Sequence, residues 1–123
     1  MLPLRTVLRS NSAFSLLSGA GLLLGALALD ELLGVPAGWL AALGAGVVAF
    51  GLLVRKLSEP DTVARNPALF VIAADVSWVI GTGVILLAFP DLLSEVGRWV
   101  FGIIGVFVLD FALLQTLGLK DAQ

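Results

Sequence analysis

The sequence predicts an all-α integral membrane protein, a bundle of four transmembrane helices. Four apolar stretches, at about residues 14–33, 37–54, 68–89 and 96–117, occupy most of the 123 residues. A helix needs about 20 apolar residues to cross a hydrocarbon core about 30 Å thick. Hydrophobic residues make up 59 % of the chain and charged residues 13 %, with a mean hydropathy of +1.09. We therefore expect one transmembrane domain, residues 1–123, and no separate soluble domain.

The basic residues lie at one side of these stretches. Of the seven Lys and Arg residues, all but Arg98 fall before the first stretch, between the second and third, or after the fourth. These six are Arg5, Arg9, Arg55, Lys56, Arg65 and Lys120. Because short cytoplasmic loops are rich in Lys and Arg, the sequence predicts a multi-pass protein of a bacterial inner (plasma) membrane with both termini in the cytoplasm.

Turn-forming residues separate the apolar stretches. Gly34 and Pro36 predict a hairpin turn after the first stretch. Asn66 followed by Pro67 predicts the start of the third helix, and Pro90 predicts its end. The connections are short, so we expect two antiparallel helical hairpins.

Two tryptophans begin helices on the predicted outer side. Trp39 starts the second apolar stretch and Trp99 lies near the start of the fourth. An indole ring prefers the boundary between the hydrocarbon and the headgroups. We interpret both residues as interface anchors.

The two halves of the chain share short sequence motifs, which indicate an internal repeat. Residues 15–21 match residues 77–83 at an offset of 62, and residues 49–54 match residues 110–115 at an offset of 61. A true duplication predicts two hairpins of the same orientation, related by an axis along the membrane normal. Chance matches in a chain rich in Leu, Gly and Ala are the other explanation.

Two aspartates lie inside apolar stretches, Asp75 in the third and Asp110 in the fourth, at similar depth. A charged Asp at a helix centre costs about 2.5–3.5 kcal/mol on insertion scales. We therefore expect both side chains to point into the bundle or into an oligomer interface, with at least one carboxyl group protonated near pH 7. The predicted intramembrane polar cluster consists of Asp75, Asp110, Trp78, Asn11, Ser15 and Gln115, where Asn11 and Ser15 join if the first helix extends back past Phe14.

Small residues at intervals of four predict close helix packing, because they let helix backbones approach in lipid. They are Gly21 and Gly25 in the first stretch, Ala41, Ala45 and Ala49 in the second, and Ala73, Ser77 and Gly81 in the third. Packing within the bundle is the commoner explanation, and homodimerisation is the alternative.

The residue types that are missing exclude several kinds of chemistry. The chain has no Cys, His or Tyr, which excludes thiolate chemistry, His-ligated haem, His/Cys metal sites and nucleophile–His pairs. It has no basic patch for nucleic acid. We predict a protein that is not an enzyme, with no catalytic residues, no metal and no cofactor.

The motifs Asn-Ser-Ala-Phe-Ser-Leu-Leu-Ser-Gly at residues 11–19 and Asp-x-x-Trp-Val at residues 75–79 resemble small four-helix inner-membrane proteins of bacteria that have no assigned activity. The resemblance spans the whole chain and implies no chemistry. Small multidrug transporters share the size, but their hallmark is a carboxylate in the first helix, and this chain has none before Asp30. Fluoride channels have a polar pore track that is missing here.

Two functions remain. The first is a non-catalytic accessory or assembly subunit of a membrane complex, or a scaffold that contacts lipid or pigment. Its expected partners are the lipid bilayer and either further copies of itself, as a homo-oligomer, or a larger membrane complex. The alternative is a small oligomeric proton-coupled transporter or channel that uses Asp75 and Asp110. Because the helices are almost wholly apolar towards the outer face, we favour the first.

Overall fold

The computed structural model describes residues 3–60 and 62–121. These residues form the helices α1 (Leu4–Leu24), α2 (Ala26–Leu33), α3 (Ala37–Leu57), α4 (Arg65–Ala88) and α5 (Glu95–Asp121), with a short 3-10 helix, Pro90–Leu92, before α5. Three helices, α3, α4 and α5, are long and apolar enough to cross a membrane. The bent pair α1 and α2 makes a fourth if it counts as one span. The prediction of an all-helical protein is therefore confirmed, and three or four of the described segments are long and apolar enough to cross a membrane.

The first helix differs from the predicted one. α1 begins at Leu4 rather than near residue 14, because Leu4 and Leu8 are buried in an apolar cluster with Val54 and Leu119. At Gly25 the chain bends by 91° between α1 and α2. Glycine weakens a helix interior, which favours a break at this position. The predicted helix 14–33 is thus the second half of one helix and a short second helix.

The helices pack as two close pairs, α1 with α3 and α4 with α5. In the first pair, Ser12 Oγ donates to the backbone oxygen of Gly51 at 2.8 Å, while Gly19 lies against Gly44 further along. The residue numbers rise along α1 as they fall along α3, so the two helices are antiparallel. α5 also contacts α1, whereas α3 and α4 make few contacts with each other. The interior is therefore least tightly closed between α3 and α4.

Glycines allow the close approach of α1 and α3, but they are not the predicted ones. A Cβ on Gly44 would lie 2.5 Å from the backbone nitrogen of Leu23, and one on Gly19 would lie 2.9 Å from the backbone oxygen of Gly44. Only glycine fits at such backbone-to-backbone contacts. By contrast, a Cβ on Gly21 would meet nothing within 4 Å.

Most of the small residues predicted to pack helices lie on the surface of the chain. Gly21, Ala45, Ala49, Ala73, Ser77 and Gly81 are exposed. Gly25 stands at the bend, and Ala41 is half-buried beside an apolar cluster that contains Leu22 and Leu40. The prediction that small residues pack the helices within the bundle is therefore wrong for these six. Intervals of four residues identify a face of a helix but not whether that face points inward.

The sequence motifs that the two halves share lie in different environments. Ser15 and Gly19 are buried on α1, whereas their counterparts Ser77 and Gly81 are exposed on α4. Whether the two hairpins superpose stays a prediction.

The interior has an apolar layer at each end and polar side chains between them. One layer contains Leu4, Leu8, Val54, Ala68, Val71 and Leu119, and the other contains Leu22, Ala26, Leu33, Leu40 and Phe101. The second layer is closed by the predicted turn, where Gly34 adopts a left-handed conformation with φ of 74°. The backbone nitrogen of Ser94 donates to the oxygen of Leu33 at 3.1 Å, so this turn is fixed against the start of α5.

Candidate functional site

A buried hydrogen-bonded cluster joins α1, α4 and α5. Asn11 Nδ2 donates to Asp75 Oδ2 at 2.8 Å and to Gln115 Oε1 at 2.7 Å. Gln115 Nε2 donates to the same Asp75 Oδ2 at 2.8 Å. Ser15 Oγ donates to Asn11 Oδ1 at 3.2 Å. The structure thus brings together four of the six residues predicted for the polar cluster, and all four are buried.

Helical periodicity explains why these side chains meet. On α5 the buried residues recur at alternating intervals of four and three: Phe101, Gly105, Val108, Ala112 and Gln115. This stripe is the face that packs against α1 and α4. On α4, Asp75 continues the buried positions Ala68 and Val71 at the same intervals. Each polar residue therefore occupies a core position of its helix.

The cluster lies deep within the helices. Asp75 follows Arg65, the first residue of α4, by ten residues, which is about 15 Å along the helix axis. In hydrocarbon, polar groups must find partners within the protein. Asn11 does this for two helices at once, because its single amide nitrogen donates to both Asp75 and Gln115. We infer that the cluster fixes the rotation of α1, α4 and α5 relative to one another.

Asp110 is not part of this cluster, contrary to the prediction. Its side chain is exposed on the outer surface of α5. It is five positions before Gln115, which is a rotation of about 140° around the helix axis. Because Gln115 faces inward, Asp110 must face outward. Among the residues whose side chains are described, none forms a hydrogen bond or ion pair with Asp110.

Trp78 also forms no hydrogen bond within the cluster, although the sequence predicted it as a member. Its Nε1 atom is buried and has no hydrogen-bond partner among residues 3–60 and 62–120. The indole packs beside the apolar layer that contains Leu22 and Leu40. An unpaired buried donor is costly.

A cavity of about 340 Å³ lies next to the cluster, and the sequence did not predict it. Its walls come from α1, α3, α4 and α5, and the polar residues among its lining are Ser15, Ser18, Asp75 and Trp78. Phe14 and Phe50 form part of the apolar wall. Small side chains at Ala42 and Gly46 of α3 leave this space open. The sequence contains these two small residues, but they indicate a cavity only once α3 is known to face α4 across a gap.

The two predicted interface anchors are at the surface, with Trp39 72 % exposed and Trp99 69 % exposed. Trp39 lies in the first turn of α3 and Trp99 in the second turn of α5. Their role at a membrane boundary stays a prediction.

Comparisons with known proteins leave the site to be interpreted from its own chemistry. No protein-family model matches the chain, and neither a curated protein nor a solved structure matches it. In the described part of the chain, no three His, Cys, Asp or Glu side chains come together in a group that could hold a metal ion. The arrangement offers hydrogen bonding, one carboxyl group and an apolar cavity.

Proposed function

We propose that the protein is a non-catalytic subunit of a membrane assembly, and that the face of α5 around Asp110 contacts another transmembrane helix. The observation that carries this proposal is the outward orientation of Asp110 on an apolar helix. The second helix belongs either to another copy of the chain or to a larger membrane complex.

The position of Asp110 makes contact with lipid alone unfavourable. It precedes Lys120 by ten residues, about 15 Å along α5, so it lies far from either end of the helix. Its exposed neighbours on the same face are Val106, Phe107, Leu113 and Leu117. Ionisable residues within a membrane almost always face protein or a water-filled space. A neighbouring helix that supplies a hydrogen-bond donor would satisfy the carboxyl group, whereas acyl chains would not.

The cluster around Asp75 supports a structural rather than a catalytic role for that residue. Asp75 Oδ2 already accepts two hydrogen bonds from neighbouring helices. A proton-coupled site formed by both aspartates of one chain would require both to face inward, and Asp110 does not. For this reason we favour the subunit over the alternative of a small transporter or channel.

We further propose a four-helix bundle in a bacterial plasma membrane with both termini in the cytoplasm. The bent pair α1 and α2 would form the first span, with α2 lying near the outer surface. The charge distribution supports this orientation, since six of the seven basic residues lie at one side of the helices. At that side the Arg5 side chain donates to the backbone oxygens of Ser58 and Glu59, at 2.8 and 2.9 Å, and so links the start of α1 to the end of α3.

Photo-cross-linking in native membranes tests the proposed contact. A benzophenone amino acid at Val106 or Leu113, one turn on either side of Asp110, should yield one discrete protein adduct of the chain. The matched control is Ile80, which is equally apolar and exposed on α4. A benzophenone there should react with lipid. Asp110→Leu in the same protein should reduce the adduct at Val106, because the partner helix would lose its hydrogen bond.

The mass of the adduct distinguishes the two forms of the proposal. Twice the chain mass of 12.8 kDa would show a homo-oligomer, and any other discrete mass would show a different membrane subunit. Adducts with lipid alone at Val106 and Leu113 would contradict the proposed function.

A further inference from the structure

Two arginines from different helices line one cavity at the end of the protein where most of its basic residues lie. This cavity, of about 450 Å³, lies between α1 and α3, and its charged lining residues are Arg9, Arg55 and Glu59. Ser12, which also lines it, donates through Oγ to the backbone oxygen of Gly51 at 2.8 Å and joins the two antiparallel helices. Arg9 comes three residues before Ser12. Arg55 comes four residues after Gly51, so both arginines lie about one helical turn beyond this bond, at the same level.

Neither arginine side chain has a partner in the described part of the chain. Within residues 3–60 and 62–120, no hydrogen bond or ion pair involves the side chains of Arg9, Arg55 or Glu59. Arg98, at the other end of the helices, differs because its guanidinium group donates to two backbone oxygens at 3.0 and 3.3 Å. Arg9 and Arg55 are also exposed. Their guanidinium groups are therefore available to a ligand.

The cavity lies at the level where a membrane span would reach the lipid headgroups. Arg55 is 18 residues after Ala37, the first residue of α3, which is about 27 Å along the helix axis. The hydrocarbon core of a bilayer is about 30 Å thick. A span that begins at one boundary with Ala37 thus brings Arg55 to the opposite boundary.

Apolar surface continues from the cavity towards the middle of the helices. Ala13 and Leu16 line the cavity and lie four and seven residues after Arg9, on the same face of α1. Leu23 extends this face and is 39 % exposed, and Leu52, three residues before Arg55 on α3, is 56 % exposed. A ligand held by the arginines therefore has an apolar surface beside it on which an acyl chain can lie.

We propose that this cavity binds an anionic phospholipid, whose phosphate group lies between the guanidinium groups of Arg9 and Arg55. Guanidinium groups bind phosphate oxygens through paired, charge-assisted hydrogen bonds. Basic pockets between transmembrane helices on the cytoplasmic side bind acidic headgroups in this way. Two basic residues and one acidic residue give the lining a net charge of +1, which complements the single negative charge of phosphatidylglycerol. The site uses α1 and α3, so the proposal is independent of the contact proposed for α5.

Two other kinds of ligand fit less well. A zwitterionic phospholipid carries no net charge, and its ammonium group would lie near both arginines even where Glu59 accepts from it. A free phosphate ion would interact with the arginines but would leave the apolar lining of Ala13 and Leu16 in contact with water. The pair of arginines together with the apolar surface favours the anionic lipid.

Native mass spectrometry in detergent tests the proposal with three phospholipids that share the same two oleoyl chains. Phosphatidylglycerol should bind at least tenfold more tightly than phosphatidylcholine or phosphatidylethanolamine. Arg9→Gln and Arg55→Gln should each weaken phosphatidylglycerol binding by about tenfold, the effect expected when a charge-assisted hydrogen bond is lost. Glu59→Gln should strengthen it, because a like charge is removed from the cavity. Thermal denaturation should show that these exposed substitutions leave the fold intact.

Arg65→Gln is the matched control. Arg65 is also exposed, on α4 at the same end of the protein, but it does not line this cavity. The variant loses the same charge and should bind phosphatidylglycerol as the parent does. Equal weakening in Arg65→Gln would overturn the proposal, because it would show attraction by the overall charge of this end.

The deacylated headgroup, glycerophosphoglycerol, separates a lipid site from a site for any phosphate. In large excess it should leave the bound phosphatidylglycerol in place, because it lacks the chains that contact the apolar surface. Displacement by the headgroup would overturn the proposal in favour of a soluble phosphate compound. Equal affinity for the three lipids, preference for phosphatidylethanolamine, or unchanged affinity in both Arg9→Gln and Arg55→Gln would overturn it as well.

Discussion

Asn11→Asp should be the most damaging isosteric substitution in this protein. It replaces the amide nitrogen that lies 2.8 Å from Asp75 Oδ2 and 2.7 Å from Gln115 Oε1 with an oxygen. Two favourable contacts become repulsive, and a second carboxyl group is placed against Asp75. An uncompensated buried charge costs about 3–5 kcal/mol. We expect a loss of folded protein in detergent, measured by thermal denaturation and size-exclusion chromatography.

Exchanging the two side chains should restore the protein. In Asn11→Asp/Asp75→Asn, the amide at position 75 donates to the carboxylate at position 11. Gln115 recovers both of its hydrogen bonds when its amide group turns by half a revolution. The single variant Asp75→Asn is the matched control, since its oxygen accepts the same two bonds, and it should change the stability by no more than about 1 kcal/mol. Failure of the exchange to recover stability would show that the cluster geometry is not what fixes the three helices.

Gly44→Ala should have the second largest effect. The added methyl group would lie 2.5 Å from the backbone nitrogen of Leu23 and 2.7 Å from the backbone oxygen of Gly19. Backbone atoms cannot move aside as a flexible side chain can, so α1 and α3 would have to separate. Overpacking of this kind typically costs about 1–3 kcal/mol, occasionally more. The free energy of unfolding, measured by denaturation in mixed micelles, should fall accordingly.

Gly46→Ala is the control for this substitution, two residues away on the same helix. A Cβ at this position would meet nothing within 4 Å. Alanine is a better helix former than glycine by up to about 1 kcal/mol, so the variant should be as stable as the parent or slightly more stable. Equal losses in both variants would mean that α1 and α3 do not approach at Gly44.

The sequence predicted the helices well where hydrophobicity alone decides. Predicted segments 37–54, 68–89 and 96–117 correspond to α3, α4 and α5, which extend one to four residues further at most ends. The early turns of α1 lie outside the predicted span because they contain Arg5, Arg9 and Asn11, which do not resemble a membrane span. Burial of Leu4 and Leu8 against other helices stabilises those turns, and such tertiary contacts are not visible in a local pattern.

The polar cluster was predicted in part, for a similar reason. Depth along a helix follows from residue counting, so Asp75 and Asp110 were correctly placed inside their helices. The direction in which a side chain points depends on which face of its helix packs against the other helices. Asp110 lies on the face of α5 that does not pack, so it points away from the bundle. The buried stripe of α5 at intervals of four and three, from Phe101 to Gln115, contained that information. The small residues Ala73, Ser77 and Gly81 on α4 also form a stripe, which the sequence predicted to face another helix. In the structure this stripe is exposed.

Both proposals depend on the same claim, that these helices cross a membrane with the two hairpin turns on one side. Labelling of single cysteines tests it directly, since the chain has no native Cys. Thr6, Glu31, Thr62 and Asp91 are suitable positions because all four are exposed. An impermeant maleimide applied to intact spheroplasts should label Glu31→Cys and Asp91→Cys, whereas Thr6→Cys and Thr62→Cys should react only after the membrane is opened. Labelling of Thr6→Cys and Glu31→Cys from the same side would contradict the first span, and labelling of Thr62→Cys and Asp91→Cys from the same side would contradict the account as a whole.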